Sequence, residues 1–101
     1  MKLTGKCKED FEVWFEREYS HCAIYDYWIN EDLGISMQYG VFVDFFDSVG
    51  IALQIYATDY PKWFLNILQK GRYLTVVKET FKSRQEAREQ AIIKANDIYN
   101  L

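Results

Sequence analysis

The stretch from Ser36 to Thr58, SMQYGVFVDFFDSVGIALQIYAT, constrains the fold more than any other part of the chain. Met37, Tyr39, Val41, Val43 and Phe45 alternate with Gln38, Gly40, Phe42, Asp44 and Phe46, which is the period of a strand. Beyond Asp47-Ser48-Val49-Gly50, Ile51, Leu53 and Ile55 alternate with Ala52, Gln54 and Tyr56. Asp and Gly suit the first and last places of a type I turn, and a left-handed Gly50 closes a hairpin loop with a bulge. In that register Phe45 opposes Leu53 and Val43 opposes Ile55, so one face is apolar throughout. The spacing therefore predicts a hairpin burying Val43, Phe45, Leu53 and Ile55 against Phe11, Trp14 and the last helix. Phe42, Phe46 and Tyr56 share its other face, which the Tyr25–Trp28 segment is expected to cover, the alternative being an apolar patch for a partner or a second subunit.

A helix is expected from about Gly5 to Tyr19, with Thr4 as N-cap. Cys7, Phe11, Trp14, Phe15, Glu18 and Cys22 follow its buried rhythm, leaving Glu9, Glu12 and Glu16 together on the opposite face, beside Asp10. Residues 21–35 offer two short strand-like pieces, Ala23-Ile24-Tyr25 and Tyr27-Trp28-Ile29, before a turn at Asn30–Gly34. A connection of that length is expected to contain a short element of its own. Asp59–Gly71 reads as a strand in preference to a Pro61-initiated helix, because a turn at Lys70-Gly71 leads into a second β run, Arg72–Phe81. Ile67 would then face Leu74, and Leu65 would face Val76. Ser83-Arg84-Gln85-Glu86 is a capping box, and Ala87, Ala91, Ala95 and Ile98 give the helix after it a small-residue stripe. The pattern predicts a single α+β domain over residues 1–101, with an antiparallel meander of three or four strands and the two terminal helices packed on one face.

A chain of 101 residues can close one core without metal or disulfide staples. No apolar run approaches the roughly 20 residues that span a bilayer. MKLTGKCKED lacks the apolar segment of a secretory signal. A cytoplasmic protein without membrane contact is expected. A helix from Cys7 to Cys22 would hold the two cysteines roughly 22 Å apart, beyond disulfide reach. With His21 as the one histidine, these residues assemble neither a metal site nor a cofactor site. No catalytic constellation stands out either. His21, Cys22 and Asp26 are neighbours in sequence, and Asp44 and Asp47 fall at a strand and a turn, where structural roles are the expectation.

Charge is more telling than composition. Glu9 to Asp59 carries eleven acidic residues and one basic one, Arg17, whereas Tyr60 to Leu101 carries eight basic and four acidic. Two interaction surfaces follow. Glu9, Asp10, Glu12 and Glu16 would bind a basic protein partner. Lys78, Lys82, Arg84 and Arg88 would form an anion or nucleic-acid site, with Arg84 and Arg88 projecting from one helical face. The order helix, strands, helix is similar to the double-stranded-RNA-binding domain, but the first helix, which meets RNA in that fold, is acidic here. Duplex RNA needs a broad basic surface, so nucleic acid is disfavoured. YGVFVDF approximates an RNA-recognition octapeptide, yet its spacing puts Tyr39 and Phe42 on opposite strand faces, where they cannot stack bases together.

The segments SRQEAREQAIIKANDIYN and MQYGVFVDFFDSVGI together resemble small proteins encoded by bacteriophages and prophages. The resemblance implies a bacterial cytoplasm and a small free-standing domain, directed at a host factor such as a defence nuclease; either a monomer or a homodimer is compatible with the sequence. It brings no catalytic residues with it. The expected function is that of a non-catalytic protein-binding module, with nucleic-acid binding as the alternative.

Overall fold

A computed structural model describes residues 1–71 and 74–101. The element order is α1 (Gly5–Tyr19), α2 (Ala23–Ile29), α3 (Ile35–Ser48), β1 (Ile51–Asp59), β2 (Lys62–Gln69), β3 (Leu74–Val76) and α4 (Arg84–Tyr99). The strands make one antiparallel meander in the order β1-β2-β3, extended by a bridge between Trp63 and Phe81. Helices α3 and α4 pack on the sheet, and α1 packs on α3, α4 and α2. The α+β class with helices at both ends is therefore the class the sequence implies.

The first half of the expected hairpin is a helix. Val41, Phe42, Phe45 and Phe46 are the buried residues of α3, spaced i, i+1, i+4 and i+5 as a helix requires. So dense an apolar run satisfies periods of 2 and of 3.6 at once, and the long packing partners decide between them. Phe45 is only 1% exposed, with the rings of Phe11, Trp14, Phe46 and Tyr99 around it. Gly50 does take the left-handed conformation, at φ 82°, but it ends a helix instead of a hairpin loop. Its amide and that of Val49 bond back to Asp47 and Phe46, and a side chain at Gly50 would meet Lys70 Cβ at 3.0 Å. Phe42 and Phe46 are buried on α3 while Tyr56 lies on a strand, so the three do not share a face.

The hairpin that exists is β1–β2. Leu53 pairs with Ile67 and Ile55 with Leu65, and Ile51, Leu65 and Ile67 turn to the helices. Tyr56 and Phe64 stack on the outer face with ring centroids 5.4 Å apart. Residues 59–71 thus hold a strand as expected, entered through a turn at Tyr60-Pro61. The β2–β3 register is one residue off the expected one, since Ile67 pairs with Thr75 and Asn66 with Val76. Arg72 and Tyr73, the expected start of the last strand, lie outside the described residues.

The two strand-like pieces near residue 25 form the single helix α2, whose half-buried Ile24, Tyr25 and Trp28 share a stripe. It closes with Asp32 N–H on Tyr27 O and Glu31 N–H on Trp28 O, placing Glu31 at φ 60°.

Helix α1 begins where expected, but the Thr4 side chain does not cap it. Asn100 does, from the far end of the chain: its Oδ1 accepts from the Cys7 amide at 2.8 Å. Asn96, buried on α4, accepts from the Thr4 amide and donates to Thr4 Oγ1, both at 2.9 Å. Gly5 sits between them at φ 58°, and a Cβ there would press on the Asn100 side chain at 3.3 Å. At the start of α4, Ser83 Oγ accepts from the Glu86 amide as the capping box requires. The reciprocal bond comes from Lys82 N–H to Glu86 Oε2, one residue upstream of the expected donor.

Candidate functional site

Helix α1 buries Cys7, Phe11 and Phe15, and this fixes what its other side presents. Glu9, Glu12 and Glu16 are exposed on that other side, around Val13, which is 67% exposed. The fourth expected acid, Asp10, is employed differently. It accepts from Tyr99 Oη and from Lys6 Nζ, bonds that hold its carboxyl below the usual carboxylate range. Asp10 thus fastens α1 to α4 and stands apart from the three glutamates. Glu12 has a loose i,i+4 partner in Lys8, 4.0 Å away, and Glu9 and Glu16 pair with no cation among the described residues.

Beside this ridge, α1 and α2 enclose a groove of about 290 Å³ lined by Phe11, Phe15, Tyr25, Trp28, Ile29, Glu12 and Glu16. Tyr25 stacks on Phe15 with centroids 5.5 Å apart, and Trp28 leans on Phe15 at 5.0 Å and on Phe11 at 5.5 Å. Ring faces carry negative potential, and two carboxylates stand at the rim, so this groove has the chemistry of a cation receptor. A second hollow of about 410 Å³ shares Phe11, Glu12 and Trp28 with it but adds Lys2 and Lys8 to Glu31, making that end mixed in charge. Phe11 and Phe15 read as plain core in the sequence. Tyr25 and Trp28 could be joined to them only by recognising α2 as a helix.

The basic residues separate into two pairs. Arg84 and Arg88 line one groove of about 310 Å³ with Tyr39, Val43, Leu53 and Ile55. Lys78 and Lys82 are exposed and lie outside its walls. Arg84 lies over the Trp63 ring at 4.6 Å, and Arg88 over Tyr39 at 5.2 Å with a hydrogen bond to Ser36 Oγ at 3.1 Å. Neither arginine pairs with a carboxylate among the described residues, and Glu89, on the same helix, accepts from Gln85. Burial pushes the Tyr39 phenol up to about 12, with Arg88 opposing the shift and Asp47 adding to it.

Cys7 is buried, which raises its thiol to about 11 with help from Asp10, while Cys22 and His21 are exposed. Among the described residues no group of three or more His, Cys, Asp or Glu could hold a metal ion, and no helix is long and apolar enough to cross a membrane. The chain matches no family model, no curated protein and no solved structure.

Proposed function

We propose that this chain is a non-catalytic protein-binding domain whose first helix receives a basic segment of a partner. One observation carries the reading: the α1–α2 groove combines aromatic side chains with Glu12 and Glu16 in its lining. A lysine or arginine entering it meets the rings of Trp28 and Tyr25 and the carboxylates of Glu12 and Glu16. Glu9 extends the acidic ridge along α1.

Magnitudes set what else is needed. An exposed ion pair contributes about 0.2–1 kcal/mol and an exposed cation–π contact about 0.5–1 kcal/mol. Three or four of these fall well short of the roughly 8 kcal/mol of a micromolar complex. The exposed apolar residues beside the glutamates, Val13 and Ile29, supply the remaining contact area in this reading. In keeping with the resemblance to phage-encoded proteins, the partner is taken to be a bacterial host protein whose nucleic-acid-binding surface is basic, and which the acidic helix occludes.

The test is capture from bacterial lysate by the wild-type chain and by Glu9→Lys/Glu12→Lys/Glu16→Lys in parallel. A basic protein held by the first alone, and released by salt, supports the reading. Identical retention by both chains removes it.

A nucleic-acid interface over Lys78, Lys82, Arg84 and Arg88 is the second reading, favoured by the two arginines, which have no carboxylate partner among the described residues. It has less support, because Glu79, Glu86 and Glu89 stand among the four cations and a polyanion needs a broad basic surface.

A further inference from the structure

We propose that the groove between α3, β1 and α4 binds a small organic oxyanion, a carboxylate or phosphate monoester with an aliphatic body, its head held by Arg84 and Arg88 and its body by Val43, Leu53 and Ile55. The groove's size, about 310 Å³, falls at the lower end of the roughly 300–1,000 Å³ of ligand sites. Its lining has the composition such sites share, an apolar floor with a few convergent polar groups.

The arginines are the strongest part of the case. The chain has fifteen carboxylates against twelve lysines and arginines, and Arg17 finds one at 3.2 Å. Arg84 and Arg88 find none among the described residues. Their guanidinium carbons lie over the rings of Trp63 and Tyr39 instead. A guanidinium held over a ring can still offer edge N–H groups to an oxyanion; Arg88 spends one on Ser36 Oγ, and the rest of its edge, with that of Arg84, is available for a charge-assisted fork. Ring contact also restricts the side chains before a ligand arrives, so less entropy is lost on binding. The Tyr39 hydroxyl, protonated at neutral pH, can add a donor.

The floor makes the same case from the apolar side. Val43, Leu53 and Ile55 come from two elements that pack on each other, yet each stays half-buried because the groove leaves one side open to water. An aliphatic chain laid there removes that surface from water at about 25 cal/mol per Å². A nucleic-acid backbone has no apolar body to place on such a floor, which favours the small ligand over a polyanion.

The experiment is calorimetric titration of the full chain with octanoate and with octyl phosphate, against octan-1-ol, octylammonium and inorganic phosphate. The two amphiphilic anions should bind at least about tenfold more tightly than any of the three controls, the worth of one charge-assisted hydrogen bond. Their ranking tells whether a planar or a tetrahedral head fits better. Arg84→Gln/Arg88→Gln should lose about tenfold or more, with its fold checked by circular dichroism. Amide shifts in the wild-type chain provide a readout that needs no variant: they should move at Tyr39–Val43, Leu53–Ile55 and Arg84–Arg88. Equal affinity for octan-1-ol, undiminished binding by the double variant, or shifts centred on the α1–α2 groove would each overturn the proposal. So would tight duplex DNA binding, lost in the double variant, together with indifference to octanoate.

Discussion

Tyr99 donates its phenolic hydrogen to the carboxylate of Asp10, fastening the last turn of α4 to the second turn of α1. The bond shifts both groups in opposite directions. It lowers Asp10 from its ordinary value near 3.8 and raises Tyr99 to about 12. A depressed carboxylate means that the unfolded chain takes up the proton first, so this part of the stability is lost as pH falls through the acid range. A raised phenol means that the unfolded chain ionises first, so the same contribution is lost again as pH rises through the range from 10 to 12. Stability due to this pair should be flat between those limits. Asp10→Asn should lower the melting temperature at pH 7 and make it less sensitive to acid, measured by melts from pH 3 to pH 7. Tyr99→Phe should do the same.

Two asparagines next to that pair complete the seam between the chain's ends. Asn96 is 5% exposed and has backbone and side-chain partners on Thr4, so Asn96→Ala leaves the Thr4 amide without its acceptor. The expected loss is about 1–3 kcal/mol in urea denaturation, the worth of two hydrogen bonds at about 0.5–1.5 kcal/mol each. Asn100 is exposed and serves as a cap in trans for Cys7 N–H. Asn100→Ala should cost less, about 1 kcal/mol, the usual loss of a helix cap.

Phe45 and Val43 separate the helical reading of α3 from the strand reading. On a strand they would share one face and cost similar amounts to truncate. On the helix Phe45 is enclosed by four rings while Val43 borders an open groove. Phe45→Ala should destabilise by about 3–5 kcal/mol. Val43→Ala should cost well under half of that, because the groove already admits water on one side. Equal losses in denaturant titration would contradict the helix.

These residues also show where the sequence was readable. Helix α1 and helix α4 were legible because their apolar positions are sparse enough to reveal a single period, and because Ser83 and Glu86 announce a start. Helix α3 was not, since nearly every position from Val41 to Phe46 is apolar and both periods fit. Its fourteen residues exceed the usual strand, and that length was the signal to weigh. The slip of one residue between β2 and β3 has a similar origin, because apolar residues at successive positions of β2 leave the alternation weak. The exposed glutamates of α1 were legible from helical spacing alone. Trp63 and Tyr39 beneath the arginines were not, since only the packing of α4 across β2 and α3 brings them there.

The glutamate ridge yields the prediction that bears most directly on function. Glu9, Glu12 and Glu16 contribute little to the fold: two have no cation partner among the described residues, and the Lys8–Glu12 pair is loose and exposed at both ends. Reversing all three to lysine should therefore change the melting temperature only slightly, surface charges being worth about 0–1 kcal/mol each. Binding should respond differently. A lysine-rich peptide offered to the wild-type chain should quench or shift Trp28 emission as its cations enter the groove, with an affinity that falls as salt rises. In the triple variant both the affinity and its salt dependence should collapse, because the rim then repels what it attracted. Trp28→Phe keeps an aromatic floor and should bind the same peptide, by anisotropy of a labelled copy, while losing the emission signal. Peptide binding that survives the charge reversal with its salt dependence intact would place the contact elsewhere and leave α1 as a solvated face.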